Sequence, residues 1–139
     1  VTATSIVTRC CGAKAFTLPI RTRNPCNGSQ GVTRGGMFAR QRERTRQRNI
    51  VRMIVGSAGP YVLPVIVTIA RVAPSRGLDP HDGLGASLKG VIDGVADGLG
   101  LSDDRDPRVK WRLEQRRGPY AVEVRIASSS AQIGVAGAA

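Results

Sequence analysis

Residues 61–73 read Tyr-Val-Leu-Pro-Val-Ile-Val-Thr-Ile-Ala-Arg-Val-Ala, a continuous β-branched run with no alternation of apolar and polar positions. A strand of that kind has no wet face. It belongs in the middle of a sheet with cover on both sides, so the other elements must supply that cover. Two segments have helical character. Met37 to Val55 contains no Gly or Pro, with an Arg-rich first half (Arg40, Arg42, Arg44, Arg46, Arg48) and an apolar second half (Ile50, Val51, Met53, Ile54, Val55). In residues 83–99, Leu88, Val91, Ile92, Val95 and Leu99 fall at helical spacing on one face, and Gly98 and Gly100 end the segment.

Further strands flank these helices. Residues 14–20 read as a first strand that Pro19 confines to an edge or terminates, followed by a loop rich in turn residues over 21–31. Val109, Trp111 and Leu113 alternate with polar neighbours. After Arg-Arg-Gly-Pro, Tyr120, Val122, Val124 and Ile126 alternate again, which predicts an antiparallel hairpin with one wet face. The expected order is β-α-β-α-β-β, a single α/β domain on a mixed sheet with two helices. It occupies residues 14–127, with a flexible N-terminal extension over 1–13 and a flexible tail over 128–139. A chain of 139 residues buries one core, not two.

No apolar run approaches 18 residues, so no membrane span is expected. The opening Val-Thr-Ala-Thr-Ser-Ile-Val is too short and too polar for a signal peptide, which assigns the protein to the cytoplasm. It lacks a Met, as in a processed, truncated or alternatively started chain. Cys10, Cys11 and Cys26 offer neither an even pairing nor a Cys-x-x-Cys spacing for zinc, so they read as reduced thiols.

Charge narrows the function. The net charge is +11, and all but three of the 21 basic residues (Lys14, Lys89 and Lys110) are Arg. Such an excess suits a polyanion, because each neutralised phosphate releases a counterion. A membrane surface fits less well, since no basic amphipathic helix with bulky aromatics is present. The acids are set apart: all seven aspartates lie between Asp79 and Asp106. That stretch, with Lys89 and Arg105 its only cations, carries −5 against the chain's +11, leaving +16 elsewhere. Clustered carboxylates repel one another unless a cation sits among them.

Asp79 and Asp82 stand between the central strand and the second helix, and Asp103 and Asp104 stand just beyond that helix. If the helix returns the chain alongside the strand, these four carboxylates meet. Oxygen-only ligation suits Mg²⁺ or Mn²⁺, ions that activate water and bind phosphodiester oxygens. Each acid also has an ordinary use: Asp82 as a helix N-cap, and Asp103, Asp104 and Asp106 in a turn. With Asp82 at zero, about 100° per residue places Lys89 near −20°, Asp93 near +20° and Asp97 near +60°, on one helix face. A Lys–Asp pair four apart is a common surface contact. A lysine kept among acids in an Arg-rich chain also suits a compact ammonium that stabilises charge on a reacting phosphate.

Asp82-Gly83-Leu84, then Lys89, Asp93 and Asp103-Asp104, resembles the motif of the RusA family of Holliday-junction resolvases. That family shows Asp-x-Asp-Asn-Leu, a downstream Lys, a helical Asp four residues later and an Asp-Asp pair. Asn24-Pro25-Cys26-Asn27, the Arg-rich helix and the closing strands are similar too, over roughly residues 15–127. The resemblance implies a homodimeric α/β nuclease that nicks branched DNA with Mg²⁺. Asp82, Lys89 and Asp104 would be its essential residues, Asp79 and Asp103 further metal ligands, and Asp93 and His81 supporting groups. Arg21, Arg23, Asn27, Arg34, Arg40, Arg44 and Arg48 would face the DNA. Two positions depart from the pattern: Pro80 stands where the family has its first Asp, and Gly83 where it has Asn. They favour a competing class, a basic nucleic-acid-binding module with a vestigial metal site. An enzyme for a small phosphorylated molecule would have no need of so extended a basic surface.

Overall fold

The computed structural model describes residues 8–10, 13–22, 34–74, 77–78 and 83–129. Pro64 has no N–H for a ladder, and the central strand, β3, begins one residue later at Val65–Ala73. It is hydrogen-bonded on both sides, parallel to β4 (Val109–Arg117) and antiparallel to β5 (Ala121–Ser128). On the far side of β5 lies β2 (Ala13–Leu18), antiparallel to it, and β1 (Thr8–Cys10) pairs antiparallel with β2. The sheet is mixed, in the order β1-β2-β5-β3-β4. Among the described residues three helices complete the small α/β domain: α1 (Arg34–Ser57), α2 (Gly83–Ser87) and α3 (Lys89–Gly98).

Two crossovers decide where the helices lie. β2 and β3 are parallel through their common antiparallel neighbour β5, and α1 joins them; α2 and α3 join the parallel pair β3 and β4. Both step the same way along the sheet, so right-handed connections put all the helices on one face. The core forms there. Phe16, Leu18, Val65, Val67, Ile69, Val122, Val124 and Ile126 from the sheet meet Val51 and Val55 of α1, Leu88, and Val91 and Val95 of α3. Each such side chain contributes about 1.5–3 kcal/mol when fully buried.

The helices α1 and α3 pack backbone to backbone. Gly90, Gly94 and Gly98 form a row on α3 against α1. A Cβ at Gly94 would stand 2.7 Å from the Arg48 carbonyl oxygen and 2.7 Å from Val51 Cβ. One at Gly90 would stand 2.9 Å from the Arg44 carbonyl oxygen. No side chain larger than hydrogen fits this seam. Only Gly98 had been assigned a role from sequence, as a helix terminator.

Four expectations need correction. The last two strands do not pair with each other: β3 lies between them. Their link, Gly118-Pro119-Tyr120, crosses the end of β3, where the Gly118 N–H donates to the Ala73 carbonyl at 3.0 Å. Two strand spacings are about 9.6 Å, and four Cα steps reach about 14 Å, so the short link suffices. The helix expected over 83–99 breaks at Leu88, which has φ −101° and ψ 3°. Ser87 Oγ donates to the Leu84 carbonyl at 2.8 Å, a back-bond that bends helices. Thr8–Cys10, assigned to a flexible extension, forms a strand, and β5 continues through Ser128. Finally, among the described residues helices cover one face of β3 alone. On the other face Ile66, Ala70 and Val72 are buried, and Ile66 and Ala70 line a trough of about 420 Å³ edged by Arg112, Arg116, Glu123 and Arg125. Among the described residues no helix is long and apolar enough to cross a membrane.

Candidate active site

The edge strand β4 carries the platform of the site. Its inward row is Trp111, Leu113 and Gln115, two partly buried apolar side chains followed by a carboxamide. Gln115 Oε1 accepts from the Leu78 N–H at 2.8 Å, and its Nε2 donates to the Leu78 carbonyl at 2.6 Å. A side chain thus imitates one rung of a β-ladder and fixes the chain just before Asp79. Leu78 packs against the core, and a Cβ at Gly77 would lie 3.1 Å from Gln115 Oε1. At the other end of the row, Trp111 Nε1 donates to the Asp104 carbonyl at 2.8 Å. Residues 111 and 115 are about 13 Å apart along the strand. Leu78 and Asp104, widely separated in sequence, are therefore anchored to one row of one strand.

Lys89 gathers the acids at the Trp111 end. As the first residue of α3, its Nζ lies 2.7 Å from Asp104 Oδ2 and 3.0 Å from Asp93 Oδ1. The contact with Asp104, followed by burial that works the other way and the contact with Asp93, raises the Lys89 pKa. Lys89 in turn holds the Asp104 carboxyl below its ordinary range, with the neighbouring Asp103 side chain acting in the same direction. Lys89 remains 40% exposed, so an incoming anion can reach the ammonium. Two carboxyls in contact, with only oxygen to offer, have the donor chemistry that Mg²⁺ or Mn²⁺ takes.

The remaining acids divide. Asp106 has a turn role: its carboxylate accepts from the Arg108 N–H at 2.9 Å and from the Arg108 guanidinium at 2.8 Å, which lowers its pKa to about 2. Asp103 Oδ1 accepts from the Arg105 N–H at 3.1 Å while its carboxyl stays beside Asp104. Asp97 turns from Lys89 to α1, where Arg48 grips it with Nε at 2.6 Å and Nη2 at 3.0 Å. Asp79, His81 and Asp82 lie outside the described residues. Among the described residues no three His, Cys, Asp or Glu side chains converge.

The expected DNA-facing set also divides. Arg40 and Arg44 are exposed on α1, with no carboxylate within 4 Å among the described residues. Arg48, also expected to face the DNA, is paired with Asp97 and its side chain stays 48% exposed. Arg21 lies over the Tyr120 ring at 4.9 Å. Arg23, Asn27 and the Arg34 side chain lie outside the described residues. Sequence reasoning passed over Trp111, Gln115 and Arg71. Gln115 did leave a signal, a polar residue in the apolar register of an alternating strand, and Arg71 left another as the one charge in the β-branched run. No protein-family model matches this chain, and no curated protein matches it.

Proposed function

We propose that this chain is a divalent-metal-dependent endodeoxyribonuclease that nicks branched DNA such as Holliday junctions, acting in cytoplasmic recombination and repair. The observation that carries the reading is Lys89 bound to Asp104 across 15 residues, with the Asp103 carboxyl in contact and the chain leading to Asp79 anchored on the same strand. Asp103 and Asp104, with Asp79 and Asp82, would hold a Mg²⁺ or Mn²⁺, which would supply Lewis-acid polarisation and an activated water. Lys89 keeps Asp104 ionised and presents a compact positive charge to a phosphate. Asp93 holds the Lys89 ammonium in place, and Arg21, Arg40 and Arg44 supply contacts to the DNA backbone. A four-way junction has two-fold symmetry and needs two opposed cuts, which suits one site in each subunit of a symmetric homodimer.

A second reading, a basic nucleic-acid-binding module with a vestigial site, draws on the saturation of Lys89 by two carboxylates and on Pro80 and Gly83. A nicking assay on a synthetic four-way junction, with and without Mg²⁺, separates the two. Parallel binding measurements in chelator compare the natural chain with Asp104→Asn. The nuclease reading expects metal-dependent nicking that falls by orders of magnitude in Asp104→Asn, with metal-free binding unchanged or tighter as carboxylate–phosphate repulsion is relieved. Binding without nicking in the presence of Mg²⁺ assigns the chain to the second class.

A further inference from the structure

Arg71 has the same register as Val65, Val67 and Ile69, so it faces the helix-covered side of β3, and it is 4% exposed. Its Nε donates to Thr22 Oγ1 at 2.8 Å, and Thr22 is itself buried. Among the described residues no carboxylate lies within 4 Å of it. A buried guanidinium without a counter-ion is costly, and burial pushes the Arg71 pKa down. The end of the fork is nonetheless not sealed. Nη1 and Nη2 make no hydrogen bond to a described residue, yet no buried side-chain nitrogen lacks a partner. The stem therefore lies in the core while the tip reaches solvent.

Tyr120 lies near Arg71, and Arg21 covers the Tyr120 ring at 4.9 Å. The cross-strand neighbour of Arg71 on β4 is Gln115, which holds Leu78 and with it the start of the 79–82 segment. This is the carboxyl end of a parallel strand, where the crossover leaves and where α/β sheets take ligands.

We propose that Arg71 is a phosphate-binding residue, whose fork takes a backbone phosphate oxygen of the bound nucleic acid at the C-terminal end of β3. The inference rests on the nucleic-acid substrate of the proposed function and adds a contact that the Arg-rich helix does not supply. A planar fork fixed at Nε is already oriented for a phosphate, so little order is lost on binding.

The test uses the full chain with a four-way junction in chelator, over a series of salt concentrations, and with inorganic pyrophosphate as a separate ligand. Arg71→Met keeps the length of the side chain and removes its buried charge. Its melting temperature should equal or exceed that of the natural chain. Junction affinity should fall on the order of tenfold, and the slope of log affinity against log salt should shrink by about 0.9. Arg71→Lys should keep the slope and lose affinity, because charge remains without the fork. Natural affinity and slope in Arg71→Met overturn the inference and leave the nuclease reading standing; should that variant not fold, natural affinity in Arg71→Lys does the same. A natural chain that binds no DNA overturns the nuclease reading and this inference together. If that chain is instead stabilised by pyrophosphate, and Arg71→Met is not, the ligand is a small phosphoester and the nucleic-acid source is refuted.

Discussion

Replacing Gly94 by Ala tests whether the α1–α3 seam sets the position of the site. In an open helix the change gains about 1 kcal/mol from propensity. Here the new methyl would stand 2.7 Å from a carbonyl oxygen of α1 and 2.7 Å from Val51 Cβ. Carbon atoms rest at about 3.5–4.0 Å, so each contact is short by roughly 1 Å, and one of them is backbone that no rotamer change relieves. Overpacking of this kind costs about 1–3 kcal/mol, sometimes more. With the propensity gain set against the upper part of that range, the net loss is about 1–2 kcal/mol, and the melting temperature falls by roughly 3–10 °C. Gly56→Ala is the internal control. Gly56 belongs to α1, and a Cβ there meets nothing within 4 Å, so stability should rise by up to about 1 kcal/mol. Denaturant unfolding with matched m-values reads both changes. A Gly94→Ala protein as stable as the natural chain would refute the close seam. The same separation of helices would carry Lys89 away from Asp104, so nicking should fall with stability.

Three further outcomes are expected. Arg44→Ala should lower the salt slope of junction binding by about 0.9. Arg48→Ala should leave the slope nearly unchanged and cost about 0.2–1 kcal/mol of stability, the usual range for an exposed ion pair; equal slopes for the two variants would show that the Asp97 contact does not hold Arg48 back. Gln115→Ala removes two hydrogen bonds to Leu78, each with a net value of about 0.5–1.5 kcal/mol. The Leu78 amide should exchange faster with solvent deuterium, and half-maximal nicking should need several-fold more Mg²⁺, whereas unaltered exchange would dismiss the anchor. Tyr61 donates to the Val55 carbonyl at 2.6 Å and burial pushes it from 10.0 up to about 12. Its folded pKa is the higher one, so its contribution to stability is complete below pH 10 and is lost as pH rises through about 12. Phenolate absorbance should show one of the two tyrosines titrating late; two normal titrations would exclude the shift.

The parts of this molecule that were legible in the sequence are those governed by local periodicity. The β-branched run of β3, the Arg-rich α1 and the apolar stripe of Leu88, Val91 and Val95 all announce themselves by spacing, and each is present. So is the pairing of Lys89 with Asp93 four residues on, which helical spacing alone suggests. What stayed hidden depends on which strand lies beside which. Two alternating strands joined by three residues look like a hairpin in any single sequence; only the demand of β3 for partners on both sides separates them. The glycine row of α3 reads as weak helix until α1 is placed against it. The Arg48–Asp97 pair is equally hidden, because the two residues are 49 apart and on different helices.

The position of β5 has a consequence for how the protein is made. Of the described strands it comes last in sequence and stands in the middle of the sheet, flanked by β2 and β3. While the ribosome is still delivering the chain, β2 and β3 wait with unsatisfied edges, and the apolar faces of Phe16, Leu18, Val67 and Ile69 have no partner between them. Assembly cannot proceed stepwise from the amino end; it waits for Val122, Val124 and Ile126 to emerge and slot into the gap. A nascent or prematurely terminated chain ending before residue 121 would thus present two sticky half-sheets, a substrate for chaperones and proteases in place of a smaller working domain.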